Sequence, residues 1–391
     1  MLRVTLGRVA IVLAAAAAVA SIPFSNQDHA EAKINTFYAQ VQGADFASAR
    51  KSINEAVQLW PSNARYYIWR GYADSQELPS QCPTYGPSLS GKMLEDVREA
   101  AADYRRALDL NRRDAVAQHN LAWLDHLVGK NEEARQEWQQ AVAIDPETAT
   151  YHLSLGFFLD EAGEADEAKR QFVTAIELTP AILDSPFFTR LHNRDAGSAE
   201  AMVREATANL EGRLRAGDDP ILKARLGKLW LYRGDARRAA ELLNKASTDL
   251  PNLPLVWFNL GEARRLQRNR DEAWACYQKA RFLDPGLAGP ALRIGEMYRE
   301  AGQRTPAVEN LRSAAQRWAH VKPVTAAHNT RLYGGTPQPI DDLLPTTLVW
   351  YTSPCEASEA YAALAELFPE NKIYASRVRT CETLPSPHAP E

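Results

Sequence analysis

The chain has 391 residues, of which 45% are hydrophobic and 24% charged. This is the composition of a folded chain and excludes an intrinsically disordered one. Its 45 basic and 49 acidic residues give a net charge of −4, which argues against a nucleic-acid binder because such a protein needs a basic excess or stripe.

The first predicted element is an apolar N-terminal segment, residues 1–27. Arg3 and Arg8 supply positive charge, and the stretch from Val9 to Gln27 carries none. Such a segment is typical of a membrane anchor or of a signal peptide, here cleaved after Ala20. We expect an extracytoplasmic protein on the periplasmic side, anchored to the membrane by an N-terminal helix, or secreted if cleavage near Ala20 occurs.

A period of 34 residues organises the chain from residue 28 to about 320. One alanine recurs at intervals of 51, 34, 34, 71, 34 and 34 residues. The alanines are Ala56, Ala107, Ala141, Ala175, Ala246, Ala280 and Ala314. The interval of 51 contains an insertion at residues 77–92, and the interval of 71 spans two units with three extra residues. The units are 30–63, 64–114, 115–148, 149–182, 183–219, 220–253, 254–287 and 288–321, numbered one to eight here.

Other residue types keep the same interval. A second alanine stands seven residues before each of these alanines, and a bulky residue lies between the two. In five units a proline stands five residues after the later alanine. The bulky residues are Ile53, Tyr104, Trp138, Phe172, Leu243, Tyr277 and Leu311. A small residue lets the first helix of a unit approach the second, and the bulky residue fills the space between them. Turn glycines and prolines end the helices.

Unit seven shows the pattern most completely, in the stretch Trp257–Gly261 followed by Ala273, Tyr277, Ala280 and Pro285. This pattern resembles the tetratricopeptide repeat family. The resemblance covers about residues 30–320. It implies an all-α fold, a right-handed superhelical solenoid of antiparallel helix pairs with a concave groove that holds peptides or protein partners.

Three segments depart from the pattern. The insertion 77–92 is rich in turn formers, and unit five, 183–219, is divergent. Residues 321–391 leave the repeat, with a possible strand near 347–352 and a helix near 356–367, and we expect a C-terminal cap and tail. Cys355 and Cys381 flank this last part and are predicted to pair, although four cysteines allow three connectivities. Cys82 and Cys276 are predicted to be free thiols.

The resemblance also indicates which side chains line the groove, because the first helix of each unit faces it. The predicted groove residues are Tyr72, His119, Trp123, His126, Phe157, Lys228, Glu262, Arg265 and Arg299. Tyr72, Trp123 and Phe157 hold the same position in consecutive units. They are interpreted either as aromatic anchors for an apolar peptide or a sugar ring, or as core residues. The charged positions downstream are either binding residues or a solvated face.

No catalytic motif occurs in the sequence. His119 and His126 lie two helical turns apart, too far to share one metal ion, so no metal and no cofactor are expected. The predicted function is a non-catalytic scaffold that binds a protein or peptide, and its N-terminal segment contacts the membrane. An accessory role in cell-envelope polysaccharide synthesis or export, with a glycan ligand, is the alternative. An enzyme with its site in 321–391 is a third hypothesis, without a recognisable motif.

Overall fold

The computed structural model describes residues 25–42, 45–75, 91–184, 186–320 and 358–382. Throughout these ranges the chain forms helices and turns and no strand, so the all-α prediction is confirmed. None of the helices in these ranges is long and apolar enough to cross a membrane. The N-terminal segment up to residue 24, nearly all of the insertion 77–92 and the possible strand near 347–352 lie outside the described residues, and the expectations for them stay predictions.

The helices follow one another in chain order and pack as antiparallel pairs. They are α1 (Asn26–Gln42), α2 (Phe46–Leu59), α3 (Ala64–Ser75), α4 (Lys92–Leu110), α5 (Ala115–Leu127), α6 (Asn131–Ile144), α7 (Ala149–Glu161), α8 (Ala165–Leu178), a 3-10 helix (Pro180–Asp184), α9 (Pro186–Arg194), α10 (Ala196–Ala216), α11 (Pro220–Tyr232), α12 (Ala236–Asp249), α13 (Pro254–Leu266), α14 (Arg270–Leu283), α15 (Ala288–Glu300), α16 (Arg304–His320), α17 (Ser358–Leu367) and α18 (Lys372–Glu382).

The interior of each pair is built from the periodic residues. The recurring alanines and the bulky residues between them are all at most 2% exposed. In unit seven the small residue is Gly261, and a Cβ placed there would lie 2.5 Å from the Tyr277 ring. The pairs therefore pack at a distance that only these small residues permit.

Glycines between the two helices of a unit adopt a left-handed conformation. Gly129, Gly163 and Gly234 have φ close to +80°, and Gly302 has φ of +71°. In unit seven the equivalent residue is Arg268, with φ of +60°. An L side chain is strained in this conformation. Arg268 nevertheless adopts it, because the turn has the same backbone geometry in each of these units.

Unit five is a distorted helix pair. Its first helix, α9, is short, and the 3-10 helix before it crosses the boundary with unit four; both begin at a proline. Proline has no N–H to donate and interrupts a continuous helix. Its second helix, α10, has 21 residues, against 14 for α6 in a regular unit. Arg194 still binds Asp160, 34 residues earlier, at 2.7 Å, so unit five keeps contact with unit four in the register of the repeat.

The helices α17 and α18 cover the last repeat pair. Ala360, Ala363 and Leu364 of α17 are buried against Leu311 and Ala314 of α16. The apolar surface that unit eight would otherwise expose is thereby covered, which is what a terminal cap does in a stacked repeat.

Candidate functional site

Three of the predicted groove residues meet in one small aromatic pocket, which we call the Trp123 pocket. Its lining residues are Trp123, His126, Trp138, Ser154, Phe157, Phe158 and Glu161, and they enclose a cavity of about 10 Å³. Trp123 and Phe157 occupy equivalent positions on α5 and α7, and both side chains are partly exposed. Trp123 stands edge-on against buried Trp138, with ring centroids 5.5 Å apart. The two predicted anchors thus present aromatic surface above a packed aromatic core.

The Trp123 pocket also contains polar atoms. Trp123 Nε1, Trp138 Nε1 and Ser154 Oγ are buried without a hydrogen-bond partner in the described part of the chain. A cavity of this size holds at most one water-sized group and does not admit a peptide side chain. The surface open to a ligand is therefore the exposed part of Trp123 and Phe157 above the cavity.

His126 connects units three and four at the rim of this pocket. Its Nε2 lies 3.4 Å from Glu161 Oε2 at the end of α7, and its Nδ1 lies 3.0 Å from Asn131 Oδ1 at the start of α6. Burial alone would lower the pKa of His126, but the hydrogen bonds to Glu161 and Asn131 outweigh it and raise the pKa above its usual value. Protonation therefore strengthens a link between consecutive first helices.

Tyr72 and His119 lie apart from the Trp123 pocket and are buried. Tyr72 is 4% exposed and His119 is fully buried. The His119 ring packs against Tyr151, with centroids 4.9 Å apart. Burial lowers the pKa of His119 to about 3, so the imidazole is neutral at pH 7. In this structure both side chains belong to the core of the first units.

The predicted charged positions are paired within the chain. Lys228 Nζ lies 2.7 Å from Asp184 of the 3-10 helix. Glu262 lies 2.9 Å from Arg265 and 3.1 Å from Arg293. Burial tends to raise the pKa of Glu262, but the two arginines and the Tyr277 hydroxyl together lower it. Arginines on both sides hold this carboxylate in its charged form.

Arg299 faces the cap. It forms an ion pair with Glu366 of α17, and Arg293 reaches Glu359 of the same helix at 3.2 Å. A ligand at this end of the groove would compete with contacts that α17 already makes. The described residues contain no group of three or more His, Cys, Asp or Glu side chains arranged to hold a metal ion.

Cys276 lies buried on α14 as a free thiol, and burial raises its pKa to about 11. A thiol of this kind stays protonated and unreactive at neutral pH. Cys82 and Cys355 lie outside the described residues, as does the side chain of Cys381. The pairing of Cys355 with Cys381 stays a prediction.

A pH-dependent stability is expected from Glu137 of α6. Burial raises the pKa of Glu137 to about 8, and nearby Asp125 adds to the rise. The folded state binds this proton more tightly than the unfolded state. The bound proton therefore stabilises the folded state fully below the ordinary pKa of 4.5, and this contribution is lost as the pH rises through about 8. Replacing Glu137 with glutamine should therefore reduce the loss of thermal stability between about pH 5 and pH 8. Melting temperatures across this range check it.

The control for Glu137 is Glu132→Gln, since Glu132 is exposed on the same helix. This variant should keep the pH dependence of the parent. Equal pH dependence of the Glu137→Gln variant and the parent would show that Glu137 is not the titrating group.

The pattern did not reveal every residue of the Trp123 pocket. Trp138 was assigned to the core by its periodic position, and Ser154, Phe158 and Glu161 carried no separate signal. Glu161 is the last residue of α7, and its role depends on where α7 ends, which the repeat pattern places only approximately.

A sequence model described as TPR repeat matches residues 126–159. The match spans one period, and the periodic helix pairs extend the same architecture along the described chain. Residues 126–159 are thus a tetratricopeptide repeat. No curated protein matches this chain.

Several solved structures are similar at low identity. YrrB, described as a TPR protein with an unusual peptide-binding site, is 22% identical over 56% of this chain and 93% of its own, with a TM-score of 0.25. A tetratricopeptide repeat protein from Parabacteroides merdae ATCC 43184 is 15% identical over 82% of this chain and 99% of its own, with a TM-score of 0.35. PilF from Pseudomonas aeruginosa is 15% identical over 70% and 99%, with a TM-score of 0.31.

Proposed function

We propose that this protein is a non-catalytic scaffold that binds a peptide segment of a partner protein across α5 and α7. Trp123 and Phe157 are the anchors in this proposal. The observation that carries it is their convergence on the Trp123 pocket while both stay partly exposed. Aromatic anchors next to a packed core are the residues that contribute most to protein interfaces.

The charged groove positions downstream, in units six to eight, are less suited to ligand binding. Lys228, Glu262 and Arg299 already have partners within the chain. A ligand there must replace these ion pairs, whereas a ligand on Trp123 and Phe157 only removes apolar surface from water. The aromatic positions are therefore the better candidates for affinity.

The full-length chain, captured from native membranes with its associated proteins, tests the proposal. Replacing Trp123 and Phe157 with alanine should abolish retention of the bound partner, because the anchors lose their contact area. The control is Phe282→Ala on α14, since Phe282 is 79% exposed and lies away from the Trp123 pocket. Circular dichroism of each variant checks that the helices remain folded.

Equal retention by the parent and the double variant would contradict the proposed location. Loss of retention with Phe282→Ala as well would indicate a general loss of folding or solubility. Binding of the parent to a glycan array, lost in the double variant, would favour the polysaccharide role instead of a protein partner.

We also propose that the protein is exported and held at the membrane by residues 1–27. The support is the pair Arg3 and Arg8 before an uncharged apolar stretch. Sequencing the N-terminus of the native protein is expected to find this segment intact in the membrane fraction. A mature N-terminus at Ser21 would show the cleaved form instead, and an intact chain in the cytoplasm would contradict export.

A further inference from the structure

The cavity of the Trp123 pocket lies where three helices meet. Trp123 stands on α5, Trp138 on α6 and Ser154 on α7, so units three and four both contribute to its wall. The volume of the cavity is about 10 Å³. A water molecule needs about 10–15 Å³ of room, so the cavity has space for a single small group.

Three polar atoms on residues that line this cavity have no hydrogen-bond partner among the described residues. They are Nε1 of Trp123, Nε1 of Trp138 and Oγ of Ser154. Ser154 is fully buried and Trp138 is 1% exposed. The Trp123 ring is partly exposed, but its Nε1 is buried as well. Buried polar groups are nearly always hydrogen-bonded in folded proteins, because an unsatisfied one costs free energy.

The repeat can satisfy such groups from within the chain, as other units show. Trp257 on α13 donates its indole N–H to the carbonyl of Pro251 at 2.8 Å. Tyr67 on α3 donates its hydroxyl to the equivalent carbonyl of Pro61 at 3.0 Å. Around the Trp123 pocket, no oxygen or nitrogen of the described ranges forms a hydrogen bond with the three buried atoms. Hydrogen bonds within the described chain therefore do not account for them.

The two indole rings cannot satisfy each other. The planes of Trp123 and Trp138 are perpendicular, with an interplanar angle of 90°. Of two perpendicular rings in contact, only one can direct its edge at the face of the other, so at most one of the two N–H groups can donate to the neighbouring indole. The second N–H and the Ser154 hydroxyl still lack a partner.

The chemistry of these atoms selects the occupant of the cavity. An indole N–H only donates a hydrogen bond, whereas a serine hydroxyl both donates and accepts. A metal ion does not fit, because two N–H groups would direct hydrogen atoms at it. The common inorganic anions are larger than a water molecule, and the carboxylate of Glu161 on the same wall would repel them. A water molecule can accept from both N–H groups and donate to the serine oxygen.

We propose that the Trp123 pocket binds one water molecule that bridges units three and four. It accepts hydrogen bonds from Nε1 of Trp123 and Nε1 of Trp138 and donates one to Oγ of Ser154. Three hydrogen bonds are the usual number for a buried water. The water joins α5, α6 and α7 and fixes the Trp123 ring with its N–H turned inward. The site needs no partner protein, so it is independent of the proposed peptide binding.

Nuclear Overhauser effects between water and the isotope-labelled, full-length chain test this site. Trp123→Phe and Trp138→Phe each remove one indole N–H signal and thereby assign it. Both signals are expected to show cross-peaks to water, with the sign given by a water that stays bound longer than the protein takes to tumble. Trp257 is the control, because its N–H already donates to Pro251, and it should show no such cross-peak.

Ser154→Val locates the water. Its two methyl groups fill the cavity and remove one hydrogen-bond partner, so both cross-peaks should be lost, while an unchanged Trp257 signal shows that the helices remain folded. Absence of a cross-peak at Trp138 in the parent would overturn the proposal, as would cross-peaks that persist in Ser154→Val. Cross-peaks at Trp123 alone, or equally strong ones at Trp257, would indicate surface hydration and would overturn it as well.

Discussion

Replacing Trp138 with alanine is expected to lower the free energy of unfolding by about 3–5 kcal/mol. Trp138 is 1% exposed. Its ring contacts Trp123, His126 and Phe158 at centroid distances of 5.4 to 5.8 Å. Removing it leaves a cavity at the junction of units three and four that surrounding rings fill only in part. Urea denaturation followed by circular dichroism measures the change.

Two matched variants separate cavity formation from other effects. Trp138→Phe keeps most of the ring volume and removes an N–H that has no hydrogen-bond partner among the described residues, so its cost should stay below about 1.5 kcal/mol. Phe282→Ala, at an exposed position, should change stability by less than about 0.5 kcal/mol. A Trp138→Ala variant as stable as the parent would contradict the packing described here.

The Trp138 result bears on the proposed function because the same residue supports the Trp123 pocket. Trp123 is positioned by its edge-on contact with Trp138. A cavity beneath it would let the anchor change rotamer, and a binding surface on repeat helices needs rigid anchors. Trp138→Phe should therefore retain partner binding where Trp138→Ala loses it.

The repeat fold was predictable from the sequence because a stacked repeat uses the same residue at the same place many times. Ala134 and Ala141 with Trp138 between them predicted the buried side of α6, and all three are at most 1% exposed. Contacts within one unit span short sequence distances, so the period alone determines them. The three extra residues in the interval of 71 indicated the divergence of unit five, but they did not predict the geometry of its helices.

The binding surface was less predictable because the position of a residue in the repeat indicates which face of the helix it lies on, but not how exposed its side chain is. Tyr72, Trp123 and Phe157 share one register position, yet Tyr72 is buried while the other two remain partly exposed. Likewise, the pairing of Arg299 with Glu366 joins residues 67 apart across the cap, and no periodic signal connects them.

The close approach of helices within a unit leads to the second large effect, at Gly261 of α13. A Cβ at this position would lie 2.5 and 2.7 Å from two atoms of the Tyr277 ring and 3.2 Å from Cys276 Cβ. Tyr277 is fully buried, and its hydroxyl donates a hydrogen bond to Glu262 at 2.5 Å. The ring therefore cannot move away. Gly261→Leu is expected to lower the free energy of unfolding by about 3 kcal/mol or more.

Gly212 of α10 is the matched control, because a Cβ there meets no atom within 4 Å. Leucine favours a helix over glycine, so Gly212→Leu should raise the free energy of unfolding by about 0.5–1 kcal/mol. If leucine lowers the free energy of unfolding at Gly261 and raises it at Gly212, the loss at Gly261 comes from tight packing and not from helix propensity. If Gly261→Leu were also stabilising, α13 and α14 would not pack as closely as the structure shows. Units seven and eight would then stack on the rest of the solenoid in another way, since each unit contacts only its neighbours.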